Sequence, residues 1–195
     1  MNSVYEQMRD YVFSLDIIDT HEHLPAREEW RDRHCDVLGE YLRHYMNSDL
    51  VSAGLRREQL VQATDPSQPL MQRWRLVEPF WQAARNTGYA RALDIAVRDL
   101  YGIERIDGST IEPLNAAFCA ARNTGRTYES VLKRKSRIRL SILDGILGRG
   151  LECDRRYFAP AVRLDDFVLQ CRGALQRPAV ELDDVDPTPH VVPSP

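Results

Sequence analysis

The spacing of two strand-like segments limits the fold of this 195-residue chain more than any other feature of its sequence. The first segment, "LDIIDT" at residues 15–20, is short and rich in β-branched residues, which predicts a buried strand rather than a helix. The second, "RIRLSILDG" at residues 137–145, alternates apolar and polar residues up to an Asp-Gly turn signal. Helical periodicity fills most of the chain between them, so we expect a mixed α/β fold.

Apolar stripes at helical spacing predict the helices. A capping box formed by Ser3 and Glu6 predicts a short helix before the first strand, over about residues 3–13. Pro113 fits the first turn of a helix that runs toward Ala121. Three further stripes consist of Val37, Leu38, Tyr41, Leu42 and Tyr45, of Met71, Trp74, Val77, Trp81 and Ala84, and of Tyr89, Leu93, Ala96, Val97 and Leu100. After residue 145, the stretch "FAPAVRLDDFVLQCRGAL" at residues 158–175 suits a short strand and the start of a helix, with Asp165 or Asp166 as its cap.

The pentapeptide "ARNTG" occurs twice, at residues 84–88 and 121–125, in both cases where a helical stripe stops. A glycine at this position can take the left-handed conformation that closes a helix. With no wider similarity around the two copies, they predict two similar helix ends and not a repeat architecture.

Charge and cysteine usage exclude several classes of function. A net charge of -3 predicts no general affinity for nucleic acid or for an anionic membrane. The first residues lack the basic start of a secretory signal and no later apolar run could span a bilayer, so we expect a cytoplasmic protein. The four cysteines are scattered singly, which argues against a thiolate zinc site and against a dense disulfide framework.

Two histidines at the end of the first strand are the strongest candidates for chemistry. Residues two apart in a strand project from the same face, so we expect His21 and His23 to point the same way as Asp19. Imidazole nitrogens suit zinc and related divalent ions, and Asp19 could bind the ion or orient one of the histidines. We also expect Arg27, His34 and Asp144 to contact a small-molecule substrate.

The stretch "DTHEHL" resembles the first-strand Asp-x-His-x-His signature of the amidohydrolase superfamily, which are metal-dependent (β/α)8-barrel enzymes. The long helical region after this strand is similar to an insertion in the uronate isomerase branch, and together the two features cover about residues 11–170. The resemblance implies that His21 and His23 bind a divalent metal, with zinc the favoured ion. It also implies that a metal-activated water attacks a carbonyl-type centre. In the isomerase branch, the implied reaction is instead aldose-ketose isomerisation.

The length of the chain conflicts with a complete barrel, because an eight-stranded barrel typically needs ~250 residues even without a helical insertion. We therefore expect an incomplete (β/α)8 barrel over residues 1–177, with the insertion at about 26–135, and a disordered proline-rich tail over 178–195. The simplest explanation is that the chain is the N-terminal part of a longer enzyme that has been cut short. We expect it to be inactive as it stands, with a completing chain or an oligomer as its expected partner. Alternatively, it is a non-catalytic module that binds a partner through its exposed sheet edge.

Overall fold

A computed structural model of the chain describes residues 3–32, 34–43, 45–145 and 152–162. Within these ranges the fold is mixed α/β, with one three-stranded sheet of order β1-β2-β3. The strands are β1 (Ile17–Glu22), β2 (Ile138–Gly145) and β3 (Phe158–Val162), and both neighbouring pairs are parallel. All three predicted strands are therefore confirmed. The predicted tail at 178–195 and the predicted helix start near Asp165 lie outside the described residues.

Helix α1 (Val4–Ser14) precedes the sheet and begins as the sequence predicts. The Ser3 hydroxyl accepts the Glu6 amide at 3.2 Å, and the Glu6 carboxylate accepts the Ser3 amide at 2.7 Å, which completes the capping box. None of the α1 side chains is buried. Arg137 holds the other end of the helix, because its guanidinium donates to the carbonyls of Phe13 and Ser14.

Strand β1 is confirmed as a strand, but its predicted burial is wrong. Ile17 is 47% exposed and Ile18 is 43% exposed. The reason is that β1 lies at an edge of the sheet, and the described residues place no apolar layer over these two side chains. A short β-branched run was therefore a reliable sign of a strand and an unreliable sign of burial.

The segments between β1 and β2 are helical, and those over residues 37–123 pack around their own apolar core. The helices are a 3₁₀ helix (Glu28–Trp30), α2 (Val37–Tyr41), α3 (Tyr45–Ser52), α4 (Arg57–Thr64), α5 (Leu70–Ala84), α6 (Gly88–Tyr101), α7 (Ile111–Asn123) and a π-helix (Glu129–Lys135). Trp74 and Trp81 of α5 lie in this core, with ring centroids 6.0 Å apart. The stripe predicted at residues 37–45 is divided between α2 and α3. No helix in the described ranges is both long and apolar enough to cross a bilayer.

The two "ARNTG" copies differ in structure. Gly125 has φ +63° and closes α7, as predicted. The prediction for Gly88 is wrong, because this glycine begins α6 instead of ending α5. The cause is Thr87, whose hydroxyl accepts the Ala90 amide at 3.3 Å and so caps a new helix.

A second apolar cluster supports the sheet. It is formed by Tyr128, Leu132, Leu143, Cys153, Tyr157 and Phe158. Leu24 and Ala26, which directly follow the histidine pair, pack against it. The Tyr128 hydroxyl also donates to the Pro25 carbonyl at 2.8 Å. The loop after β1 is thus fixed to the body of the protein on the side of β2 and β3.

Candidate metal centre

A bulge in β1 positions the two histidines. Asp19 pairs with Ser141 and Glu22 pairs with Leu143, so three steps along β1 face two steps along β2. Such a bulge interrupts the alternation of side chains and re-aims those that follow it. His21 and His23 remain neighbours, with ring centroids 4.5 Å apart and planes at 89°. They lie at the carboxyl end of β1, where parallel α/β folds carry their chemistry.

Asp144, near the carboxyl end of β2, completes a group of three donors with these histidines. Its Oδ2 lies 3.9 Å from His21 Nε2 and 3.9 Å from His23 Nδ1. The three donor atoms all lie within 4.8 Å of one another. The Asp144 side chain is 9% exposed, whereas those of His21 and His23 are 59% and 48% exposed. The carboxylate therefore forms the inner wall of the group, and the imidazoles face solvent.

Asp19 does not belong to this group of three. Its carboxylate accepts the His21 amide at 3.2 Å, and its side chain also contacts that of Glu22. The bulge accounts for this placement, because it interrupts the strict alternation that would put Asp19 on the histidine face. Asp19 thus supports the backbone of His21 and is not one of the three donors.

Glu22 fixes the turn that carries His23. Its Oε1 accepts the amides of His23 at 2.8 Å and Leu24 at 3.1 Å. Burial raises the pKa of this carboxyl, and the nearby Asp19 charge adds to the shift, while the two amide hydrogen bonds oppose it. Glu22 has no role predicted from the sequence, because in an unbroken strand it would point away from the histidines.

The remaining predicted substrate contacts, Arg27 and His34, have local partners of their own. Arg27 is 3.8 Å from Glu29 and its guanidinium lies 5.8 Å from the Trp30 ring centroid. His34 is exposed, and its backbone amide donates to Asp32 at 2.9 Å. Of the three residues predicted to contact substrate, Asp144 is the one whose contact with the histidine pair the structure records.

The donor set fits a divalent first-row metal. Two imidazole nitrogens and one carboxylate oxygen are ligands of catalytic zinc, which keeps a further position open. Ligand atoms around a tetrahedral zinc at ~2.0–2.1 Å are about 3.3 Å apart, so the two histidine–aspartate pairs at 3.9 Å need to approach by about half an ångström. The whole group spans up to 4.8 Å, so its widest pair needs up to about 1.5 Å. The exposed imidazoles allow this movement, and they leave the group open to solvent.

One sequence signal points to Asp144. The Asp-Gly pair marks the end of β2, and neighbouring parallel strands present their carboxyl ends at the same edge of a sheet. That argument places Asp144 beside the histidines as a candidate ligand and not only as a substrate contact. No known family model, curated protein or solved structure matches the chain. The resemblance to the amidohydrolase superfamily therefore stays a prediction.

Proposed function

We propose that the chain carries the metal site of an amidohydrolase-type, metal-dependent hydrolase, with His21, His23 and Asp144 as the ligands. The observation that carries the proposal is the convergence of these three side chains from two adjacent parallel strands. Their positions are about 120 residues apart in the sequence, so local chain geometry does not account for their meeting.

Each of the three residues contributes a distinct property. The Asp144 carboxylate supplies a negative charge that is largely shielded from water, which strengthens its attraction for a cation. His21 and His23 supply neutral nitrogen donors on the solvent side, where a substrate would approach. A bound divalent ion would lower the pKa of a water molecule and polarise a carbonyl group.

The sheet supports the barrel part of the proposal. Three consecutive strands in the order β1-β2-β3, all parallel, are the arrangement with which a (β/α)8 barrel begins. We propose an incomplete barrel of this type, in which helices α2 to α7 form an insertion between the first two strands. Aldose-ketose isomerisation of the uronate isomerase kind is the alternative reaction on the same scaffold.

Zinc binding by the full chain is the first test. We expect the metal-free protein to bind one zinc ion per chain in calorimetric titration at neutral pH. The variants His21→Ala, His23→Ala and Asp144→Asn should each weaken binding by about tenfold or more, since each removes one donor. His34→Ala is the matched control, because it removes an exposed histidine outside the group and should leave binding unchanged.

Equal zinc binding by all four variants would contradict the proposed site. Since the incomplete barrel is expected to be inactive alone, zinc binding decides the site, and any turnover of small carbonyl substrates in ¹⁸O-labelled water would separate hydrolysis from isomerisation. A hydrolase places solvent oxygen in its product as the scissile bond breaks. An isomerase instead leaves the substrate formula unchanged and exchanges a carbon-bound hydrogen with solvent.

A second candidate function is non-catalytic association of the chain with another copy of itself. The observation that favours it is the surface of α1 and β1, where nine apolar side chains between residues 4 and 18 are 43% to 75% exposed. Exposed apolar surface on this scale marks protein interaction sites in soluble proteins. The two functions use different surfaces and are tested separately.

A further inference from the structure

Two tyrosine side chains stack on each other where α3 and α6 begin. Tyr45 is the first residue of α3, and Tyr89 is the second residue of α6. Their ring centroids lie 5.1 Å apart, and the planes of the rings differ by only 11°. Aromatic pairs at this separation and angle are offset-stacked, with part of each ring lying over the other. The pair therefore brings ring carbons of two separate helices close together.

Both rings are open to solvent, although helical periodicity predicts each tyrosine in an apolar stripe. Tyr45 is 60% exposed and Tyr89 is 46% exposed. A reagent dissolved in water can therefore reach either phenol without any change in the fold. Because the two side chains are not enclosed, each ring can also turn toward the other.

Two other pairs of tyrosines lie close together in the fold, and neither combines stacking with exposure. Tyr128 and Tyr157 are buried, and their rings meet edge to face at 77°. Tyr41 and Tyr101 contact each other through their hydroxyls, and burial raises the pKa of both. Oxidation of a phenol at neutral pH releases its hydroxyl proton, so burial protects this second pair.

We propose that Tyr45 and Tyr89 form a site of oxidative cross-linking, where a one-electron oxidant joins the two rings by a carbon–carbon bond as dityrosine. Each phenol gives up one electron and its hydroxyl proton, and a carbon ortho to each oxygen then forms the new bond. The two ortho hydrogens move to the oxygens as the rings regain aromaticity, so the protein loses two hydrogen atoms. With hydrogen peroxide as the terminal oxidant, these two electrons and two protons convert one peroxide into two water molecules.

The new bond would tie α3 to α6 between positions that are 44 residues apart in the sequence. A covalent link across such a loop restricts the unfolded chain, as a disulfide does. The helical region should therefore resist unfolding more strongly after oxidation. The proposal is independent of the metal site, because neither tyrosine belongs to that group.

The test is treatment of the dilute full chain with hydrogen peroxide and a haem peroxidase, followed by tryptic digestion and mass spectrometry. Tyr45 and Tyr89 are the only tyrosines in the tryptic peptides at residues 44–56 and 86–91. We expect these two peptides to appear joined, with a mass two hydrogen atoms below their sum, and the monomer to show dityrosine fluorescence. Tyr45→Phe and Tyr89→Phe each keep a stacked ring and remove one phenol, so each should abolish the joined peptide.

The double variant Tyr5→Phe, Tyr11→Phe is the matched control. These two tyrosines of α1 are 74% and 66% exposed, so they test whether exposure without a stacked partner is sufficient. The control should form the joined peptide as the unmodified protein does, and should lose only links between chains. The proposal is overturned if the monomer forms no joined peptide, if other tyrosines are joined instead, or if Tyr45→Phe cross-links like the unmodified protein.

Discussion

The buried side chain of Ser141 makes the centre of the sheet less stable than it could be. Its side chain is fully buried in β2, and its hydroxyl oxygen has no hydrogen-bond partner among the described residues. Its backbone amide donates to the Tyr157 carbonyl at 2.9 Å, so the main chain is satisfied. The buried hydroxyl therefore lowers the free energy of unfolding, whereas the paired backbone amide does not.

Replacement of Ser141 by alanine should raise the free energy of unfolding by about 1 kcal/mol, because it removes an unsatisfied buried group. Urea denaturation followed by circular dichroism measures this change. Ser130→Ala is the control, since Ser130 is exposed and its loss should change stability by less than about 0.5 kcal/mol. A large destabilisation by Ser141→Ala would mean that the hydroxyl has a partner after all.

The candidate metal site was only partly predictable from individual residues. The proximity of His21 and His23 followed from their spacing on a strand, and the structure brings their rings together. The separate placement of Asp19 did not follow, because a bulge depends on how β1 pairs with a strand far along the chain. The approach of Asp144 required the same long-range pairing, which no local pattern specifies.

At the scale of secondary-structure elements, the two "ARNTG" glycines form a natural matched pair. Gly125 has φ +63° and Gly88 has no such strain, while a Cβ added at either position would meet nothing within 4 Å. Any difference between alanine variants at these two sites therefore reports backbone conformation and not steric contact.

We expect Gly125→Ala to destabilise the protein by about 1–2 kcal/mol, the cost of placing a side chain in the left-handed region. Gly88→Ala should be neutral or should stabilise by up to ~1 kcal/mol, because alanine is the better residue in a helix. Thermal and urea unfolding of both variants measure the difference. Equal effects at the two positions would refute this assignment of the helix ends.

Glu40 of α2 joins three elements through charge pairs. It lies 2.6 Å from Arg31, which follows the 3₁₀ helix, and 3.2 Å from Arg122 at the end of α7. Burial alone would raise the pKa of the Glu40 carboxyl, but the two arginines outweigh it and hold this pKa below its usual value of 4.5. The ionised carboxylate is therefore the form that stabilises the folded protein.

This shift predicts a specific loss of stability in acid. Because the folded-state pKa of Glu40 is lowered, its contribution is fully present above pH 4.5 and is lost as the pH falls through the lowered value. Glu40→Gln should flatten the decline of unfolding free energy over that range in urea titrations at a series of pH values. Glu58→Gln changes an exposed glutamate of α4 and is the control. The same acid dependence in Glu40→Gln and the unmodified chain would contradict the assignment.

Helix positions were the best-predicted level of the fold, and burial of the sheet was the worst. The stripes that became α5 and α6 depend on periodicity within one segment, which the sequence displays directly. The exposure of Ile17 and Ile18 depends on which other elements cover β1, and a strand's own residues do not contain that information. The prediction that Gly88 ends a helix was wrong for a related reason, because Thr87 caps the next helix at this point.

At the scale of the whole molecule, the apolar surface of α1 and β1 is unusual. It consists of Val4, Tyr5, Met8, Tyr11, Val12, Phe13, Leu15, Ile17 and Ile18. Val4, Met8, Tyr11 and Val12 fall on one face of α1 and together expose on the order of 500 Å², a substantial part of the ~800 Å² that each partner buries in a stable interface. A dimer that forms through this surface would use that face of α1.

We expect the sedimentation coefficient of the protein to rise with concentration as the chain self-associates. The double variant Met8→Glu, Val12→Glu places two charges one helical turn apart on α1 and should abolish this rise. Because no α1 side chain is buried, the variant should keep the fold. Val61→Glu is the control, as Val61 is 69% exposed on α4, away from this surface. A concentration-independent coefficient in the unmodified protein would exclude self-association.

The pairing of β1 with β2 also sets the order in which the site can form during synthesis. Ile17 pairs with Ile138, about 120 residues later, so the ribosome has made all of α2 to α7 before the second strand emerges. The histidines leave the ribosome before the helical region is made, and Asp144 leaves it only after that region is complete. Closing so long a loop is entropically costly unless the intervening helices have already folded into a compact body. A metal ion bound by all three ligands would therefore stabilise only chains whose helical region has folded, and it would do so late in synthesis.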